Sequence, residues 1–530
     1  MNKLQQIIWL LLIPSMGLTQ IESSPNFEYK TGKPFRFSYG SENYFFCNND
    51  EILAVKIDNM EVTLQKFNSV TLSLQSDKKY KDFPIDWVPE HVTEYNNRYF
   101  IFYALWDRNA NKEQLFYREI DFQKGTFKDN GILLIQIDGK ITGTYSGIPG
   151  RAGVVMADKF DFHTSFDSSY MLIKYRKNPD SKSKTKNQGV LGTCVFDKEL
   201  QMSWRQDVMM PYDEKKMNIL DYAIDSKGNV FILSIVFTDN SSKMKLIKGN
   251  SNYHVELLRI RNNTQIVEKS PINFGSRLIN SIALYEGSND ELVCAGYFNY
   301  GQNNENANGL FFFKQSSMDP VSEVKFFDFT KDIVNQNSGI KAARQDNRDG
   351  ENAEIENLVL RNLKLATDGS IVLVGEQSYT KQGPEIFNEY SEDIVVSKLT
   401  SKGELGWIKK LPRRQWKAYS SESGLSFNYL FTEGHHYFLT LDNVKNLNLP
   451  IYEVPEKYHY GYGGVLTCTE IDDLTGNAIN YLIFDSKDID GINYPDITTN
   501  NWIAVSEKEL IFQVAKNNKQ MVLIRLKVGD

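Results

Sequence analysis

Cysteine is scarce in this chain: four in 530 residues, at Cys47, Cys194, Cys294 and Cys468. Neighbouring cysteines are at least 100 residues apart and none forms a CxxC pair. That spacing excludes a ligand knuckle for structural zinc and gives no sign of a disulfide framework. Cys47 and Cys294 sit in apolar runs, Phe45-Phe46-Cys47 and Val293-Cys294-Ala295, as small buried hydrophobes do. Histidine is also rare, at His91, His163, His254, His435, His436 and His459, with no HExxH or HxH among them. The sequence has no GxSxG elbow and no phosphate-binding glycine loop. Positive charge is not in excess: Lys plus Arg is 60, Asp plus Glu is 67, and the net charge is -7. A nucleic-acid partner is therefore not expected, because neutralising phosphates needs a basic footprint.

Long apolar runs are missing after the first residues. Lys3 precedes the run Ile7–Ile13, which Pro14 ends, and the small residues Ser15, Gly17 and Thr19 follow. The order of charge, apolar run and small residues is that of a secretory signal. The run is far short of the ~20 apolar residues of a membrane span. The reading is a signal peptide over residues 1–19 and a single folded domain over 20–530, exported to the periplasm or the medium. An uncleaved anchor is the other reading of the same run. No cysteine follows it to carry a lipid.

What is abundant is aromatic residues, 13% of the chain with 28 Tyr and 32 Phe, which suit a pleated surface. A unit of four strands, A to D, recurs. The clearest copy has strand A at Leu358–Ala366, the turn Thr367-Asp368-Gly369-Ser370, strand B at Ile371–Val374, strand C at Asp393–Leu399, a second turn Thr400-Ser401-Lys402-Gly403-Glu404, and strand D at Leu405–Leu411. Further units start near Asn43, His91, Gly153, Asn218, Leu278 and Leu425. An incomplete one follows near Trp502 and lacks a strand D. The period of roughly 45–65 residues is that of propeller blades. The A–B and C–D links are short and the B–C and D–A links long, as expected when the two link types fall on opposite faces. The prediction is an all-β propeller of four-stranded blades, eight favoured and seven the alternative. The N-terminal stretch Pro34–Tyr39 would supply the missing strand and close the ring.

The units resemble those of divergent bacterial exported β-propellers. The resemblance is carried by Leu399–Trp407, an apolar residue, a glycine-containing polar turn and then Trp. It covers most of the mature chain and implies the fold alone. Neither the WD dipeptide nor the kelch double glycine recurs, and the Asp-box of sialidases is absent, so no catalytic residue carries over.

Long loops on one face of a rigid scaffold are the usual place for binding. Three segments on that face stand out as candidate ligand-binding residues. Tyr458, His459, Tyr460 and Tyr462 form an aromatic, glycine-rich loop suited to stacking on sugar rings or clasping a peptide, or to packing the loop down. Trp106, Asp107 and Arg108 put an aromatic, an acid and a base at one strand end. Asp107, Asp239, Glu376 and Asp442 end strand B in four units. They form either a ring of carboxylates or a set of turn-makers, since Asp makes turns. The charged D–A link Lys331–Asn357 reads as a flap or a solvated loop, and Asp488–Gly491 matches only part of a calcium loop.

These features favour a non-catalytic binding module. The alternatives are a glycan-active glycosidase or lyase using the strand-end carboxylates, and a scaffold subunit of an envelope complex. No catalytic residue, resident metal or cofactor is assigned, and calcium stays open on the carboxylates alone. A carbohydrate or an envelope protein is the expected partner of a monomer.

Overall fold

The computed structural model describes residues 27–36, 42–58, 60–146, 155–156, 159–177, 188–239, 243–262, 264, 266–287, 291–301, 305–316, 323–339, 353–382, 387–418, 425–432, 434–459, 464–485, 497–517 and 520–529. Residues 1–19, Tyr460, Tyr462 and the Asp488–Gly491 segment lie outside them.

The fold is an eight-blade β-propeller with four-stranded blades, 66% strand and 2% helix. Blade 1 is Glu42–Asn48, Glu51–Asp58, Glu61–Asn68 and Leu74–Tyr80, a complete antiparallel meander. Blades 2 to 7 begin at Val88–Tyr95, Asp161–Thr164, Met217–Ile224, Leu278–Glu286, Leu358–Leu365 and Phe427–Thr432. Blade 8 takes three strands from the C-terminal end, Ile497–Ser506, Glu509–Asn517 and Gln520–Val528. Among the described residues, no helix is long and apolar enough to cross a membrane.

The ring is closed from the N-terminal side, in part by the stretch the sequence pointed to and mainly by residues just before it. Phe27–Thr31 is the main fourth strand of blade 8, antiparallel to Val528–Ile524, and Phe35–Arg36 adds a short second pairing to the same strand. Gly32 and Pro34 interrupt the two. A Cβ at Gly32 would lie 2.6 Å from Leu72, so only glycine lets the chain pass there. The strand Phe27-Glu28-Tyr29-Lys30-Thr31 is mostly exposed, which hid it from a search for apolar runs. Its Phe27 and Tyr29 rings pack on Tyr481 and Phe484 of blade 7, at 5.2 and 5.0 Å between centroids.

The hydrophobic core is divided between the blades. Eight apolar clusters of described residues each join two neighbours, and together they run round the whole circle. The joint between blades 8 and 1 is one of them, with Ile503, Ile511 and Leu523 against Ile52, Ala54 and Phe67. Closure is therefore a matter of packing as well as of strand pairing. The first strands of neighbouring blades approach one another, which puts strand A innermost, around the axis.

Turn chemistry in blade 6 follows the sequence. Gly369 has φ +80° and Gly403 has φ +67°, in the A–B and C–D turns. A Cβ at Gly403 would come within 2.3 Å of the buried Phe312 ring, so this turn also packs blade 6 against blade 5. Trp204 and Trp407 occupy equivalent places in their D strands, and each donates its indole N–H to a backbone carbonyl of the next blade, Gly228 at 3.1 Å and Asp473 at 2.9 Å.

Candidate functional site

Blade 6 departs from the long B–C loop of the sequence reading. Its strand B runs Ile371–Gln382 and its strand C Phe387–Leu399, well beyond the expected ends. The polar stretch assigned to a loop, Glu376–Glu392, pairs as a ladder out to Gln382 with Phe387. Polar residues dominate there, with Tyr379 and Tyr390 among them, so the strand carries no apolar run. Two further segments join this extension. Gln415–Ala418 pairs with Asn388–Ser391, and Tyr458–His459 pairs in parallel with Gln415–Trp416.

The extension walls a cleft of about 880 Å³ on the long-loop face. Inner strands of blades 5, 6 and 7 form its floor, through Asn280, Leu358–Asn362 and Leu425–Tyr429. The hairpin supplies Ser378, Tyr379, Thr380, Glu389, Tyr390 and Ser391. Tyr379 and Tyr390 are cross-strand partners with rings stacked at 4.9 Å and 12°. Lys381 Nζ stands 4.7 Å from the Tyr379 ring centre. Trp416 is next in the same row and stacks on His459 at 3.9 Å and 11°. Four aromatic side chains thus lie in register across one sheet. Burial lowers the His459 pKa from its ordinary value, which favours the neutral ring.

Charge beneath the cleft is organised around Glu376. Its carboxylate has no exposed surface. Arg361 Nε donates to it at 2.7 Å, and the buried Arg413 guanidinium donates to its other oxygen. Burial pushes the Glu376 carboxyl up, but the charges of Arg413 and then Arg361 outweigh it and hold it below its ordinary value. Arg413 is fixed in turn, with its Nε on the Glu392 carbonyl at 3.2 Å and its amide on Asp393 at 2.9 Å. Arg361 owes its direction to a β-bulge: strand pairing shifts between Leu360 and Asn362, leaving it as the extra residue. Bulges re-aim side chains in this way. The inner strands of blades 2, 4 and 5 shift at comparable places. Ser426 on the cleft wall has φ +104°, a strained backbone that costs ~1–3 kcal/mol. Its amide donates to Gln415 at 2.9 Å.

Another chain of hydrogen bonds leaves the cleft floor. The Tyr429 hydroxyl donates to His436 Nδ1, and His436 Nε2–H donates to Asp473, each at 2.9 Å. His436 has no exposed surface, and burial raises the Tyr429 hydroxyl far above its ordinary value.

The structure separates the residues the sequence grouped. Glu376 is not a loop carboxylate but a strand residue buried between two arginines. Tyr458 is buried in the added strand, and His459 is held by Trp416. Trp106, Asp107 and Arg108 are on blade 2, across the ring from the cleft. Asp107 caps its own turn, accepting the Asn109 and Ala110 amides at 3.0 Å. Lys140 Nζ lies 5.4 Å from the Trp106 ring centre. Arg108 is 82% exposed and 3.9 Å from the equally exposed Asp86. The other two strand-end acids also serve local structure. Asp239 receives Asn252 at 3.0 Å, and Asp442 is buried against the Asn443 amide and the Asn446 side chain, with burial pushing its carboxyl up to about 6. Sequence reasoning missed Arg361, Arg413, Tyr379, Tyr390 and Trp416. The available signal was the pair of tyrosines in the polar stretch of blade 6, spaced to meet across a hairpin.

No protein-family profile and no curated protein matches the chain. Among solved structures it is similar to a prolyl endopeptidase at 10% identity and TM-score 0.40, over 91% of this chain and 54% of that one. It is also similar to the propeller domain of the Trilobed protease from Pyrococcus furiosus, at 9% identity and TM-score 0.29, over 72% and 95%. A family GH43 endo-arabinanase from Bacillus licheniformis matches at 11% identity and TM-score 0.22, over 55% and 93%. The chain spans about half the length of the prolyl endopeptidase it matches. At these identities and scores nothing passes from them to this chain, which stands as an eight-blade propeller on its own strand pairing.

Proposed function

We propose that the chain is an exported, non-catalytic module that binds an extended glycan in the cleft of blades 5 to 7. The observation that carries this reading is the cleft itself, about 880 Å³ on the long-loop face and walled by the overlong hairpin of blade 6. Its lining suits a sugar chain: stacked tyrosines for ring faces, and Asn357, Asn362 and Asn428 for hydroxyls. The apolar run Ile7–Ile13 with its small-residue flank supports export. No cofactor is invoked, and the working unit is a monomer.

The test is a thermal-shift screen of the protein from Gln20 onward against soluble oligosaccharides. A ligand that binds only the native state adds roughly 2.7 kcal/mol at a hundredfold excess over Kd. The expected result is a sugar-dependent rise that Tyr379→Ala with Tyr390→Ala removes. No rise with any oligosaccharide, together with a captured protein partner, would replace this reading with the envelope scaffold.

A second reading is turnover of the bound glycan. The chain Tyr429, His436 and Asp473 favours it, since a hydroxyl at the cleft floor backed by imidazole and carboxylate is an acid/base arrangement. The high pKa of the buried hydroxyl weighs against it. Release of new chain ends from a bound oligosaccharide, lost in His436→Gln, would establish turnover.

A further inference from the structure

Resting on the glycan reading above, we propose that Arg361 forms a carboxylate subsite, so that the ligand is an acidic glycan built from uronate sugars.

Three observations carry the inference. First, the arginine is aimed and held. The bulge at Leu360–Asn362 places it among the cleft-lining residues, and Glu376 grips its Nε. Its side chain keeps about a third of its surface, 35%, while Glu376 keeps none. Second, the clamp leaves donors over. Among the described residues, only Glu376 contacts Arg361 through a hydrogen bond, and it takes the Nε. The two Nη groups are the pair that meets a carboxylate or phosphate in the bidentate fork. Third, Glu376 divides its charge between two guanidinium groups. Part of the positive charge of Arg361 is then available to the cleft. Among the described residues, the other charged groups on the lining are Lys417 and Glu389, paired at 3.1 Å, and Glu305 on blade 5.

A glycan is favoured over an acidic peptide because the wall beside this arginine presents stacked tyrosine rings and side-chain amides. These match ring faces and hydroxyls better than a backbone ladder. Guanidinium is also weakly hydrated and meets a planar carboxylate in two parallel bonds, so one arginine is enough to select a uronate over its neutral counterpart.

The experiment is calorimetric titration of the protein with oligosaccharides of galacturonate, glucuronate and mannuronate, each beside its methyl ester, and with an oligoglutamate peptide. Parent, Arg361→Gln and Arg361→Lys are compared, with melting curves to confirm folding. Arg361→Lys keeps the charge that Glu376 needs and loses only the fork, so it guards against a folding failure in Arg361→Gln. The expected result is that one acidic oligosaccharide binds the parent about tenfold or more tighter than its ester, since a charged hydrogen-bond pair has that worth. Arg361→Gln closes the gap by weakening the acid toward its ester, and Arg361→Lys falls between. Equal binding of acid and ester by the parent overturns the carboxylate subsite and leaves glycan binding standing. Binding of no oligosaccharide overturns both. Arg361-dependent binding of oligoglutamate without any uronate also overturns both and makes the ligand an acidic peptide.

Discussion

Glu376 shows how a single buried charge organises its surroundings. With no exposed surface and two arginines on it, it cannot be removed without leaving two guanidinium groups partly unpaired. Glu376→Ala is expected to cost ~3–5 kcal/mol, the usual penalty for breaking a buried pair. Asp107→Ala, which removes a half-buried turn cap on blade 2, should cost less than about 1 kcal/mol. Thermal or denaturant unfolding of the two variants would check the contrast, and equal losses would contradict the placement of Glu376. On the opposite face, Glu286 of blade 5 accepts the Phe166 and Ser226 amides, both at 2.6 Å, from turns of blades 3 and 4. Burial pushes its carboxyl up from 4.5 to about 7. Between those values the native state holds the proton and the unfolded chain does not, so this group's contribution to stability falls as pH rises. Asp442, pushed up to about 6, acts in the same sense, while the buried His91, pushed down to about 4, acts in the opposite one. The sign for Glu286 is therefore read from a variant and not from the parent alone. The parent should exceed Glu286→Gln in melting temperature by more at about pH 5 than at about pH 7.5. A gap independent of pH would contradict the buried setting of this carboxyl.

At the scale of the element, the blade 6 hairpin decides whether there is a site. It raises Tyr379, Tyr390 and Glu389 above the ring and serves as the template for Gln415–Ala418 and Tyr458–His459. Replacing Ser378–Ser391 with a two-residue turn should leave a cooperatively unfolding propeller and remove the sugar-dependent thermal shift. A shift that survives would move the site elsewhere. The hairpin also marks the limit of what the sequence reveals. Strands B and C of the ordinary blades were legible because both faces pack between neighbours and they read as apolar runs, such as Val230–Phe237, which is buried throughout. Turns were legible through Gly369 and Gly403, where positive φ dictates the residue. The hairpin extension and the closing strand Phe27–Thr31 were not, because the first is half-exposed, the second mostly exposed, and both are largely polar, so that only pairing makes them strands. Bulges were invisible for a similar reason. Nothing in Leu360-Arg361-Asn362 announces that Arg361 is the extra residue, yet that displacement puts it in the cleft.

For the molecule as a whole, the eight inter-blade clusters make a rigid ring, and the pairing of Phe27–Thr31 with Val528–Ile524 covers an edge that would otherwise be open to other chains. Rigidity is what lets inner strands of three different blades hold one cleft in register. Cysteine contributes packing and no cross-link: all four are free, and the buried Cys194, Cys294 and Cys468 belong to the inter-blade clusters. The comb of candidate carboxylates seen in the sequence dissolves into turn caps and one arginine clamp, so the functional weight shifts from strand ends to the cleft of blades 5 to 7. The most direct test of that placement is hydrogen exchange followed by mass spectrometry, with and without the oligosaccharide that gives the largest thermal shift. The account predicts added protection in peptides covering Asn357–Asn362, Ser378–Ser391 and Gln415–Tyr429, with little change on blades 1 to 3. Protection centred on Trp106–Arg108, on the opposite face, or spread evenly round the ring would contradict it.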